Sequence, residues 1–79
     1  MPSSTYMNLL NLVSAYVDRA KAQEVIGRHL PKCGATPDSL SLEGLKSIAL
    51  FLSGACGLYI SDKAKRAELV SKIEKLANP

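Results

Sequence analysis

The sequence has few of the residues that build disulfide or metal sites. Its 79 residues include two cysteines, Cys33 and Cys56, and a single histidine, His29. Two cysteines do not form a disulfide framework, and no Cys-x-x-Cys pair or His/Cys cluster has the spacing of a structural zinc site. We therefore expect both cysteines to be reduced thiols, and the protein to hold no metal and no cofactor.

His29 and Cys33 lie four residues apart, a spacing that could place two metal ligands on one helix. Pro31 falls between them and breaks that helix. We interpret His29 as a structural residue near a helix C-terminus, where the helix dipole favours positive charge; a ligand or base is the alternative. Cys56 is interpreted as a small buried residue, and Cys33 as a loop residue whose neighbour Lys32 favours the thiolate.

Patterns of catalytic residues are also missing from the sequence. No two carboxylates are paired along the chain, and no glycine-rich segment follows a strand, which argues against a phosphate-binding loop. A nucleophile and its base can meet in space from distant positions, so a triad of that kind stays an open alternative. Without any visible constellation, we predict that the protein is not an enzyme.

No segment is predicted to enter a membrane. The uncharged run 47–61 is shorter than the roughly 20 residues that a spanning helix needs. Residues 1–17 are also uncharged, but they carry too many serine and asparagine side chains for a lipid environment. The start of the chain lacks the cationic and apolar regions of a secretory signal. We expect a cytoplasmic protein without membrane contact.

The composition predicts a single folded domain over residues 1–79. Apolar residues make up 47% of the chain and charged residues 22%, which is typical of globular proteins. A chain this short buries only about 60–65% of its unfolded surface, and domains of this size often gain stability by oligomerisation. The net charge of +3 permits acidic partners without requiring them.

Helical periodicity predicts an all-α fold, a compact four-helix domain. The first helix starts at a serine cap and runs to about Val17. The apolar positions then change phase, which predicts a break and a second helix over 19–30 with Asp18 as its cap; one bent helix is the alternative. Pro31 disfavours helical backbone at Leu30 and ends the second helix.

Two further helices are predicted in the second half of the chain. A loop comes first, in which residues 36–40 are expected to form a single short helical turn. A long central helix, Leu42–Ile60, and a last helix, 62–77, complete the domain. No run of residues alternates between apolar and polar side chains as a half-buried strand would.

An ungapped internal repeat relates the two halves. Asp18–Arg28 matches Asp62–Lys72, with the same aspartate, alanine, lysine and glutamate at matched positions. Each copy follows an apolar helix that ends in a tyrosine, Tyr16 or Tyr59. Both tyrosines are expected to pack in the core; anchoring a partner is the alternative. The repeat predicts two similar helical hairpins packed face to face. The alternative is a chance match, because helix starts rich in alanine and lysine are common.

The central helix has the most unusual composition. Residues 48–52 place large apolar side chains on nearly every face, so this helix must be covered on all sides by its own chain or by a partner. Residues 53–57 are all small, and each glycine in a helix costs roughly 1 kcal/mol against alanine. Such a stretch is typical of close approach by another backbone, either within the monomer or across a self-association face.

The apolar central helix leads to our first functional hypothesis, a small protein–protein interaction module. It would bind a second copy of itself, forming a homodimer, and an unknown protein partner. The residues expected at the interface are Leu50, Phe51, Gly54 and Leu58.

The alternative hypothesis is a basic helical module that binds DNA or RNA with the last helix. The residues that would contact phosphates are Lys63, Lys65 and Arg66. Because charges of both signs are mixed along that helix, the pattern favours a solvated surface over nucleic-acid binding.

Overall fold

The computed structural model describes residues 1–79 and confirms the all-α, four-helix fold, with no strand. Three of the four α-helices begin at a capping side chain that accepts a hydrogen bond from a first-turn amide: Ser3, Ser41 and Asp62. Asp18 holds the same place before the second helix, but its side chain makes no such bond. The elements are α1 Ser4–Ser14, α2 Arg19–His29, a 3₁₀ helix Leu30–Cys33, α3 Leu42–Gly57 and α4 Lys63–Ala77.

The first two helices are separate, so the alternative of one bent helix is wrong. α1 ends at Ser14, three residues before the predicted end at Val17, and the chain turns before Asp18. α3 likewise ends at Gly57, earlier than the predicted Ile60. Both helices end earlier than predicted because the apolar pattern of the sequence continues into the connecting turns.

The prediction that Pro31 keeps Leu30 out of a helical conformation is wrong. Leu30 has helical dihedral angles, and Pro31 lies in the first turn of the 3₁₀ helix, where its missing N–H is tolerated. Gly34 then ends this segment with a φ of +68°, a conformation that favours glycine. Residues 36–40 form the predicted single turn, in which the Leu40 amide donates to the Thr36 carbonyl at 3.0 Å.

The core lies against the inner face of α3, which contacts all the other helices. α1 packs on α2, and α3 packs on α4, as two hairpins; α2 and α4 lie on opposite flanks without packing on each other. The largest fully buried side chains come from all four helices: Leu9, Leu10, Val13, Val25, Ile26, Leu45, Ile48, Leu52, Leu69 and Ile73.

The internal repeat is visible as a matched pair of surface ion pairs. Arg28 binds Glu24 in α2, and Lys72 binds Glu68 in α4, each one helical turn apart. The matched apolar positions differ, because Ala22 is buried in α2 whereas its counterpart Arg66 is exposed in α4. The two hairpins are therefore similar in sequence but pack their second helices differently.

Both tyrosines of the repeat contact the opposite half of the molecule. The Tyr16 hydroxyl donates a hydrogen bond to Glu68, and Lys72 Nζ lies 5.4 Å from the centre of its ring. The Tyr59 ring lies under Lys21 Nζ at 5.1 Å. Tyr16 is half-buried and packs against the core, as expected. Tyr59 is 42% exposed, so the expectation of a core residue is wrong there.

Replacing Tyr16 with phenylalanine should raise the pKa of Glu68 toward its usual value. Hydrogen bonds from Tyr16 and Lys72 lower this pKa in the folded protein, so the charged carboxylate favours the folded state. The stability that the Glu68 carboxylate contributes is fully present above the usual pKa of 4.5. It is lost as the pH falls through the lowered pKa that Glu68 has in the folded protein. NMR titration of the Glu68 carboxyl group measures the shift.

The matching residue Glu24 is the control for this experiment. Its pKa is lowered by the hydrogen bond from Lys21 and by the charge of Arg28, which do not involve Tyr16. Titration of Glu24 should be the same in both proteins. An unchanged Glu68 pKa in the Tyr16→Phe variant would contradict the contact between the hairpins.

Candidate interaction surface

The outer face of α3 exposes large apolar side chains. Leu50 is 78% exposed, Phe51 58% and Leu58 85%, and Gly54 is exposed between them. Leu58 directly follows α3 and still has helical dihedral angles. Because side chains four residues apart share one side of a helix, Leu50, Gly54 and Leu58 form a single row. The four residues predicted as an interface are thus all exposed to solvent.

A groove of about 340 Å³ runs along this row, between α3 and α4. We call it the α3–α4 groove. Phe51 lies outside it, on the neighbouring side of α3, where Lys32 Nζ is 5.1 Å from the centre of its ring. The residues that line the groove are Leu50, Ser53, Gly54, Gly57, Leu58, Arg66 and Val70.

The two glycines of the groove have different neighbours. A side chain at Gly57 would meet Arg66 Cδ at 3.0 Å, so the Arg66 side chain would have to shift to make room for it. A side chain at Gly54 would meet nothing within 4 Å, and its backbone has no positive φ. Nothing inside this chain requires glycine at position 54, although glycine destabilises a helix.

Ser53 also lines the groove, and its hydroxyl oxygen is buried beneath the groove surface. The residue is 6% exposed, and its hydroxyl oxygen is buried without a hydrogen-bond partner. Buried hydroxyl groups in folded proteins are nearly always hydrogen-bonded. Ser14, outside the groove, has an unpaired buried hydroxyl as well, so the open space at Gly54 is the feature of the groove that folding of the single chain leaves unexplained.

The three predicted phosphate contacts do not act as one group. Arg66 folds back over Gly57, where its Nε donates to the Ile60 carbonyl at 3.1 Å and its stem lines the groove. Lys63 and Lys65 are exposed in the first turn of α4, and no carboxylate lies within 4.0 Å of either amine. Only these two lysines remain directed at solvent.

The residues considered for catalysis have structural surroundings. His29 is buried, and its Nδ1 lies 2.8 Å from the Val25 carbonyl, which can only accept, so Nδ1 donates. Cys56 is buried, which raises the pKa of its thiol to about 11. Cys33 is half-buried, and its thiol donates to the Leu30 carbonyl. The predictions that His29 lies near a helix C-terminus and that Cys56 is buried are confirmed.

The rest of the molecule has few groups suited to chemistry. No three His, Cys, Asp or Glu residues are grouped so that they could hold a metal ion. None of the helices combines the length and apolarity needed to cross a bilayer. A second, more polar depression of about 500 Å³ lies between the 36–40 turn and the start of α3, but its serine oxygens already cap turns and helices.

No family model matches this sequence, and neither the curated proteins nor the solved structures contain a significant match. Sequence reasoning identified the exposed row on α3 but missed Val70 and Arg66 as the far wall of the groove. The internal repeat did not indicate an exposed wall at these two positions, because their counterparts in α2, Ile26 and Ala22, are fully buried.

Gly54→Ala should raise the free energy of unfolding of the single chain by about 0.5–1 kcal/mol, because alanine is the better helix former and the added carbon meets open space. Gly57→Ala is the matched comparison. There the added carbon displaces Arg66 and its bond to Ile60, which reduces or reverses the gain. Urea denaturation at several protein concentrations separates folding of the chain from association; equal effects at both positions would contradict this assignment.

Proposed function

We propose that this protein is a small protein–protein interaction module that forms a homodimer through the outer face of α3. The observation that carries the proposal is the exposed row of Leu50, Gly54 and Leu58 beside the α3–α4 groove. Burying a leucine side chain stabilises a complex by about 1.5–3 kcal/mol. A partner that covers this row therefore gains apolar contact that the monomer leaves in water.

A second copy of the chain suits this surface because the surface is self-complementary. A two-fold interface uses the same patch on both subunits. Here one patch supplies both the projecting leucines and the groove that can receive them. A domain of 79 residues also has a modest core, for which association is a common source of added stability.

We also propose a second kind of partner and a location for the protein. An additional protein partner would use the same face, in competition with the second copy. A cytoplasmic location is part of this proposal, since reducing conditions would keep Cys33 and Cys56 as the free thiols they are in this structure.

Solution mass measured by light scattering, from low to high concentration with reductant present, tests the homodimer. The wild-type chain should approach twice its mass of 8.5 kDa. Leu50→Glu should remain monomeric at every concentration, because the carboxylate would have to be desolvated at the interface. Gly54→Leu should also be monomeric, because its side chain fills the space that the partner would occupy.

Leu42→Glu is the matched control. Leu42 is also an exposed leucine of α3, but it lies eight residues, or about 12 Å, before Leu50, and an acidic residue is favourable in the first turn of a helix. This variant should keep the dimer mass. A wild-type monomer at high concentration, or a folded dimeric Leu50→Glu variant, would refute the proposed interface.

Nucleic-acid binding is the second candidate function. Lys63 and Lys65 support it, because unpaired cations in the first turn of a helix oppose the helix dipole. Such an arrangement gains stability from an anionic partner. Asp62, the cap of the same helix, would repel phosphates and weakens this candidate.

Fluorescence anisotropy with a labelled oligonucleotide at several salt concentrations tests the second candidate. Binding through Lys63 and Lys65 should weaken steeply as salt rises, because bound phosphates release counterions. The Lys63→Gln/Lys65→Gln variant should lose most of the affinity, while Lys75→Gln, at the far end of α4, should keep it. No binding at low salt removes this candidate.

A further inference from the structure

The exposed row on α3 is symmetric about Gly54. Leu50 lies four residues before this glycine and Leu58 four residues after it, and both leucines line the α3–α4 groove. A two-fold axis perpendicular to α3 at Gly54 therefore creates two equivalent contacts, each between position 50 of one copy and position 58 of the other. The bare backbone at Gly54 lets the two helices approach closely where they cross.

The distribution of charge opposes a parallel arrangement of the two α3 helices. α4 starts beside the C-terminal end of α3, since Arg66 packs on Gly57, and it brings Lys63 and Lys65 to that end. A parallel pair would place the cations of both copies together, whereas an antiparallel pair separates them. Antiparallel helices also bring opposite ends of their dipoles together.

We infer that the two α3 helices of the homodimer cross antiparallel at Gly54, with Leu50 of each copy packed against Leu58 of the other at the α3–α4 groove. This inference rests on the proposed function and specifies its geometry. Gly54 is the closest point between the two backbones, and the two cationic starts of α4 lie at opposite ends of the interface.

Isotope-filtered NOE spectroscopy on an equal mixture of ¹³C-labelled and unlabelled wild-type protein tests the geometry without changing any side chain. The antiparallel crossing predicts NOEs between the methyl groups of Leu50 in one copy and those of Leu58 in the other. A parallel pair predicts NOEs from Leu50 to Leu50 and from Leu58 to Leu58. The like-to-like NOEs would overturn the inference, and so would the absence of both kinds of NOE in a protein of dimeric mass.

Disulfide cross-linking gives an independent readout in a Cys33→Ser background, in which the remaining Cys56 is buried. Leu50→Cys and Leu58→Cys proteins should form a covalent dimer when mixed and oxidised, and much less of one when oxidised separately. Efficient cross-linking of either variant with itself would indicate the parallel arrangement. A monomeric wild-type mass would instead reject the homodimer itself, so the two failures are distinguishable.

Discussion

The structure depends on burial of the inner face of α3. Leu45, Ile48 and Leu52 are almost fully removed from water there, and every other helix of the chain contacts α3. Because α1, α2 and α4 are all used on that side, the chain has no further element with which to cover the opposite side. The exposed row on α3 thus follows from the small number of helices that 79 residues provide.

The groove beside that row exists because the two halves of the repeat are packed unequally. In α2, the matched positions Ala22 and Ile26 are fully buried. In α4 their counterparts are Arg66 and Val70, which are exposed or half-buried and form one wall of the groove. A symmetric pair of hairpins would have buried this wall. The departure from internal symmetry therefore produces the only concave surface on the molecule lined mainly by apolar atoms.

Local chemistry made much of this architecture predictable. Ser41 and Asp62 are caps that act within one helical turn, and the exposed row on α3 follows from helical spacing within one segment. Contacts between distant segments were not predictable: Tyr59 lies under Lys21, and Arg66 folds onto Gly57. The sequence suggested close packing around the small residues of α3. The structure is needed to distinguish the two glycines, because Arg66 lies against Gly57 whereas nothing lies within 4 Å of a side chain built at Gly54.

The different burial of the two thiols provides an internal reporter of conformational opening. Cys33 is half-buried near the surface, so a thiol reagent can reach it in the folded protein. Cys56 lies on the inner face of α3, where burial also keeps it protonated. Alkylation of Cys56 therefore requires the helices around α3 to separate, and its rate measures how often the core opens under native conditions.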